Sequence, residues 1–380
     1  MEYLDIRSQI EGKYYSRFAK RSAECAGRKI PLPPDPFRTE FERDTHRILH
    51  SWPFRRLRNK AQVFYAPKND HLCTRIEHAL HVASISFTIC NHLRLNSDLA
   101  ESIALAHDLG HPPFGHIGED ILKHLHKNNR LPIFKHEAQS LYIIDRFKRK
   151  GETLNLTYEV RDGVVCHCGE NFVQVLRPNR KKDITLVEPS AARRQRPATL
   201  EACVVRFADV VSYVGRDFED AIQVGIISQK KFPPDVEHIL GSNNREIIRN
   251  IITDIILNSR DNDAIILSDE VFSAVTKLRK FNIDKIYNNP LIVGQFRRID
   301  QMLSDIFNFF LEVTQETKRG TKNRRKYRGD AVDVFYEFLK DMEYSEDEPD
   351  AQIVSDFVAG MTDTYATRVY QEMFLVSPPA

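Results

Sequence analysis

The sequence predicts an all-α fold with at most minor β-hairpins, and three observations predict it. From Phe41 onward apolar residues recur at helical spacing; period-two alternation is scarce; and the strongest glycine and proline breakers fall between the periodic segments rather than inside them. Composition agrees, since 380 residues with 42% hydrophobic and 28% charged side chains can bury a core of ordinary size. Lys and Arg number 55 against 53 Asp and Glu, a formal net charge of +2, so no whole-molecule basic field selects nucleic acid as partner. No run approaches the roughly 20 apolar residues that a membrane helix needs. The start MEYLDIRSQI lacks a charged leader followed by an apolar block, and a cytoplasmic protein with no membrane partner is expected.

Taken in order, the first forty residues are polar and end in Pro31-Leu32-Pro33-Pro34-Asp35-Pro36, which holds neither helix nor ladder, so residues 1–40 are expected as an N-terminal arm. A core over 41–225 follows. Its helical periodicity runs through Phe41, Ile48, Leu49 and Trp52, then Ile76, Leu80, Val82, Ala83 and Phe87, then Leu99, Ile103, Ala106 and Leu109, with Asp98 as the expected cap of the last helix. The best strand candidates are Val63–Tyr65 and Phe172–Val175. Breakers lie at Gly110–Gly115, at the basic stretch Arg177–Pro197, expected as a surface loop, and at Phe232-Pro233-Pro234. Residues 226–380 read as amphipathic helices that finish the core or build a subunit interface, which makes a homo-oligomer the expectation. The run KRGTKNRRKYR at Lys318–Arg328 reads as a solvated loop, or as a contact for nucleotide phosphate or a single-stranded nucleic acid. Six scattered cysteines suit a reducing compartment. Cys166-His167-Cys168 has no second pair to complete a soft-metal site, so surface or packed thiols are expected there.

The chemistry concentrates in His107-Asp108-Leu109-Gly110-His111-Pro112-Pro113-Phe114-Gly115-His116, a density of histidine that packing does not explain. His107 and Asp108 emerge together at a helix end where Gly110 allows a sharp turn. Upstream, Arg75 and His78 share one helix face at i, i+3, a ligand beside a guanidinium suited to phosphate. Downstream, Asp209, Tyr213 and Asp217 form a polar stripe at i, i+4 and i+8 among apolar neighbours. His78, His107, Asp108 and Asp209 make a mixed nitrogen and oxygen set that suits one divalent ion of Mn, Fe, Co, Ni or Mg better than a closed structural zinc.

The pattern H…HD…D resembles the HD-domain metal-dependent phosphohydrolases. RRLRNKAQVF from Arg55, RIEHALHVA from Arg75, HDLGHPPFGHIGE from His107, KHEAQS from Lys135 and ADVVSYVGRDFEDA from Ala208 together look like the dGTPase-type dNTP triphosphohydrolases, in that family's order, and DFVAGMTDTYA from Asp356 resembles its C-terminal region. The resemblance implies hydrolysis of a deoxynucleoside triphosphate at the α-phosphorus, releasing deoxynucleoside and inorganic triphosphate, on one divalent ion held by His78, His107, Asp108 and Asp209. It implies Arg75 as a phosphate contact, His116 as the acid/base group near the 5′ oxygen with Glu119 orienting it, and His111 and His136 as histidines behind the ligands or on phosphate, His136 within the catalytic group. It also implies Tyr213 stacked under the sugar so that a 2′ hydroxyl has no room, Asp217 accepting from the 3′ hydroxyl, and Gln62 reaching sugar or base. One departure is Val210, which stands where some relatives carry a charged residue after the last metal Asp, so a phosphate contact from that position is absent. Other HD phosphohydrolase activities, nucleotidase or phosphodiesterase, are the alternative implied by the shorter pattern.

Overall fold

A computed structural model describes residues 3–65, 71–148, 151–168, 172–193, 195–318, 329–342 and 344–375. The fold is helical as expected. Helix α1 (Tyr3–Tyr14) precedes α2 (Glu40–Leu49), which starts on a reciprocal cap between Thr39 and Glu42, and α3 (Trp52–Arg56), capped by Ser51. The long α4 (Arg75–Leu93) starts where the Glu77 carboxylate accepts from the Thr74 backbone and hydroxyl, and ends at Arg94 in the left-handed region. Helix α5 (Ser97–Ala106) is capped by Asn96, whose side chain accepts from Asp98 N and Leu99 N. Asp98, expected as the cap, instead pairs with Arg7 of α1, because Asn96 already occupies the position from which a side chain reaches the first free N–H groups.

Next come α6 (Gly115–Asn128), α7 (His136–Arg146), α8 (Tyr158–Val165), α9 (Leu200–Val214) and α10 (Arg216–Gln223). The chain closes with α11 (Pro234–Leu240), α12 (Asn244–Ser259), α13 (Asp269–Asn282) running into a π turn at Ile283–Tyr287, α14 (Pro290–Lys318), α15 (Asp330–Met342), α16 (Asp350–Ala359) and α17 (Asp363–Phe374). The described strands are β1 (Val175–Leu176) and β2 (Ile265–Ile266), paired antiparallel. They are remote in sequence, so they tie the loop after α8 to the C-terminal half rather than making a hairpin; Val63–Tyr65 forms no strand.

Among the described residues two large apolar clusters and one small one hold the helices. The larger gathers α2, α4, α5, α8 and α9 with α11–α13, past the expected limit at 225. The second joins Phe114, Ile121, Leu122 and Leu125 of the turn and α6 to α14–α17. The site turn from His107 to His116 therefore runs between two cores. The N-terminal forty residues, expected as an arm, carry α1 and lie against the body: buried Glu201 accepts from Lys20 N, Glu159 accepts from Ala26 N, and Arg28 pairs with Glu40 and Asp44. The basic run at 318–328 lies outside the described residues beyond Lys318, the end of α14. Among the described residues no helix is long and apolar enough to cross a membrane.

Candidate metal and nucleotide site

The first turn of α4, the end of α5 and the middle of α9 converge. His78 Nε2 lies 3.3 Å from His107 Nε2 and 3.1 Å from Asp209 Oδ1, and Asp108 Oδ2 lies 3.6 Å from His107 Nε2 and 3.9 Å from His78 Nε2. Hydrogen bonds on the far sides of the rings set the tautomers. His107 Nδ1 donates to the Ala104 carbonyl at 2.6 Å. The Ser212 hydroxyl donates to the Asp209 carbonyl at 2.7 Å, so at 3.0 Å it must accept from His78 Nδ1. Both Nε2 atoms then carry lone pairs, and two lone pairs facing each other at 3.3 Å repel unless a cation stands between them. The residues present therefore fit a divalent ion, with two carboxylates to balance its charge. Burial pushes Asp209 up, but the surrounding imidazoles of His78, His107 and His167 outweigh it and hold this carboxyl down at about 2. Burial also opposes ionisation of Asp108, yet His107 and Arg75 keep it well below the usual carboxylate range. Arg75 is buried with one arm on Asp108 and the other on the Gln62 carbonyl at 3.3 Å.

Beside this set stands a second polar group. His136 Nδ1 donates to Glu119 Oε2 at 3.1 Å, and His136 Nε2 meets His167 Nε2 at 3.2 Å. His167 Nδ1 donates to the Val164 carbonyl at 2.6 Å, leaving its Nε2 free to accept, so both nitrogens of His136 are donors and the ring is an imidazolium. Its pKa agrees: burial opposes the charge, but Glu137 and Glu119 outweigh it and raise the group to about 9. His111 stacks on His136 with centroids 4.6 Å apart, and burial beside Arg75 and His136 keeps it neutral. His116 is 63% exposed at the cavity wall, with Nδ1 3.8 Å from Glu119 Oε2. The i, i+3 pair read from the sequence is present, but the shorter bond of Glu119 goes to His136.

These groups border one cavity of about 500 Å³. Tyr213 and Asp217 face it from α9 and α10, together with Phe172, Ile283 and Val293. Arg279 Nε donates to the Tyr213 hydroxyl at 3.2 Å, and the Tyr287 hydroxyl donates to Asp217. Burial pushes Asp217 up to about 7 despite that bond. Gln62 lines the cavity with its Oε1 unpartnered among the described residues.

All twelve residues singled out in the sequence, Glu119 included, lie in or directly behind this cavity. Sequence reasoning missed His167, Arg193, Arg206, Arg279 and Tyr287. His167 was hidden by its flanking thiols: Cys166 sits in a small apolar cluster while the imidazole between them turns to the site. Arg279 and Tyr287 are also eight apart, but apolar Ile283 stands between them and Lys280, Asn282, Asp284 and Lys285 surround them, so no polar stripe among apolar neighbours marked them.

The HD domain family matches residues 75–214, and the phosphohydrolase-associated domain family matches 265–372. A deoxyguanosinetriphosphate triphosphohydrolase-like protein of Desulfatibacillum aliphaticivorans is 36% identical over 382 residues, covering 99% of this chain and 99% of its own. Proteins of the same description from Caldanaerobacter subterraneus and Clostridium perfringens are each 34% identical, over 100% and 98% of this chain and 97% and 98% of their own. Among solved structures, a hypothetical protein from Aquifex aeolicus aligns over 82% of this chain and 67% of its own, with 19% identity and a TM-score of 0.39.

Proposed function

The chain belongs to the HD-domain family of deoxyguanosinetriphosphate triphosphohydrolase-like proteins, and on that premise we propose that it hydrolyses a deoxynucleoside triphosphate at the α-phosphorus, releasing deoxynucleoside and inorganic triphosphate. The observation that carries this reading is the pair of buried Nε2 lone pairs of His78 and His107, facing each other at the edge of the cavity between two low-pKa carboxylates. A divalent ion of Mn, Mg, Fe, Co or Ni held there by His78, His107, Asp108 and Asp209 supplies Lewis-acid polarisation of a phosphate oxygen and a water acidified for attack. The chain's own groups do the rest. Arg75, the His136 cation and His111 line the wall where the phosphates lie, offering positive charge and a neutral ring to the oxygens on which charge builds. His116, exposed to the cavity, gives a proton to the 5′ oxygen as the P–O5′ bond breaks, with Glu119 behind it. Tyr213 packs under the sugar and closes the space of a 2′ hydroxyl, Asp217 accepts from the 3′ hydroxyl, and Gln62 offers its free Oε1 to sugar or base.

A homo-oligomer assembled through the C-terminal helices and a cytoplasmic location belong to the same reading. Single-stranded nucleic acid on the 318–328 run is a separate alternative. The test is a panel of dNTPs and NTPs with Mn or Mg, the products resolved by ion-exchange chromatography and phosphorus NMR. Triphosphate and deoxynucleoside from dNTPs alone are expected; orthophosphate or pyrophosphate would place the protein among other HD phosphohydrolases.

A further inference from the structure

Glu119 and Glu137 are both buried, and both turn an oxygen toward the same ring: Oε2 of Glu119 lies 3.1 Å and Oε2 of Glu137 3.7 Å from His136 Nδ1. Two buried carboxylates this close repel, and a single imidazolium balances only one of them. The Lys123 amine lies 3.6 Å from Glu119 Oε1, but the positive charge that is hydrogen-bonded to both acids is Arg193. Its Nε donates to Glu137 Oε1 at 2.7 Å and its NH2 to Glu119 Oε1 at 2.8 Å, so one edge of the guanidinium spans both acids and leaves their other oxygens facing His136. The residue lies in the stretch between α8 and α9 that the sequence presented as a surface loop. That stretch is seated by a short turn at Pro189–Ala191, by Val187, Ala191 and Ala192 packed on Leu141 and Val165, and by the Lys135 amine on the Ala192 carbonyl at 3.0 Å. Arg193 follows at φ 63°, in the left-handed region.

We propose that Arg193 is a positioning residue of this enzyme: it sets the Glu119 carboxylate, and through it His136 and His116, without touching substrate. The proposal rests on the dNTP hydrolysis proposed above, whose acid/base group it completes. A lysine cannot replace it fully, because a point charge does not span two acids in one plane.

Kinetics of Arg193→Ala and Arg193→Lys, in the whole chain loaded with Mn, test it. In Arg193→Ala kcat is expected to fall ~10- to 100-fold, with KM for the dNTP and bound Mn unchanged, and millimolar guanidinium restores part of the rate. Arg193→Lys falls between the two. A wild-type kcat in Arg193→Ala, or a loss that tracks Mn content and ignores guanidinium, overturns the proposal. Should Arg193→Ala fail to fold, full kcat in Arg193→Lys overturns it equally. Nitrogen-15 NMR of histidine-labelled, Mg-loaded protein separates this from the proposed reaction. The His136 Nδ1 signal is expected to move in the variant as its bond to Glu119 loosens, and an unmoved signal overturns the positioning role. Absence of triphosphate release from the wild type, with that shift present, would instead sink the reaction.

Discussion

His78 and His107 each commit one ring nitrogen to a fixed acceptor and turn the other to a shared point, which separates binding an ion from moving a proton at the level of single side chains. Asp108 belongs to the first task twice over, as an oxygen of the set and as the partner of buried Arg75. Asp108→Ala is therefore expected to abolish Mn binding and turnover together, and to destabilise the fold by about 3–5 kcal/mol because it strands a buried guanidinium. In the proposed reaction His116 belongs to the second task, and it stands 63% exposed. His116→Ala should keep the bound Mn, change stability by less than about 0.5 kcal/mol, and lose most of kcat. Metal analysis, thermal melts and steady-state rates on the two variants check this contrast; near-normal turnover in His116→Ala would remove the acid/base assignment. The four proposed ligands were legible as candidates because histidine and aspartate are rare on otherwise apolar helix faces. His167 was not, because its neighbours' chemistry masked its direction.

At the scale of elements, the turn from His107 to His116 is shaped by what packs on it. Gly110 was read as a residue that allows a sharp turn, but the stronger constraint is contact: a Cβ there would lie 2.1 Å from the backbone N of Ser140 in α7. At the other end Phe114 takes a left-handed conformation, φ 61°, which costs a residue with a Cβ roughly 1 kcal/mol. Its ring is buried edge-on against Tyr65, and its N–H donates at 2.8 Å to Asp363, the first residue of α17. The other oxygen of Asp363 accepts from Ala61 N at 2.8 Å. The DFVAGMTDTYA segment thus buttresses the turn that carries His116. Asp363→Ala leaves two backbone donors without acceptors, and each costs about 1–3 kcal/mol when buried. We expect a lower urea midpoint and a fall in kcat larger than any change in Mn content, measured on the same preparation; an unchanged midpoint would show that α17 does not hold the turn.

For the whole molecule, the N-terminal forty residues are fastened by carboxylates that the body buries. Glu201 has no exposure, and its Oε1 accepts from both Lys20 N and Asn96 N while Oε2 has no partner among the described residues. Burial raises this carboxyl from 4.5 to about 7 despite those bonds. The folded state therefore binds the proton more tightly than the unfolded chain, and stability falls as pH rises from 4.5 to about 7, then levels. Roughly 3 kcal/mol is at stake over that window. Glu201→Gln keeps the acceptor and removes the charge, so it is expected to be more stable than wild type at pH 8 and no more stable near pH 4.5. Denaturation midpoints at the two pH values decide; equal gaps at both would mean that Glu201 does not titrate on unfolding.

Much of this protein was settled by local chemistry. Helical periodicity and clustered breakers determined an all-α fold, and a rare density of histidine and aspartate at helix ends determined a candidate metal-site set, because both are properties of a few consecutive residues. Tertiary structure alone decided which rings face which. It placed the turn between two apolar cores, paired Glu119 with His136 more closely than with its i+3 neighbour, and brought Arg193 in from a stretch with no periodic signal. The physical reason is that such contacts join segments far apart in the chain. Their geometry follows from how helices pack, which no single stretch of sequence encodes.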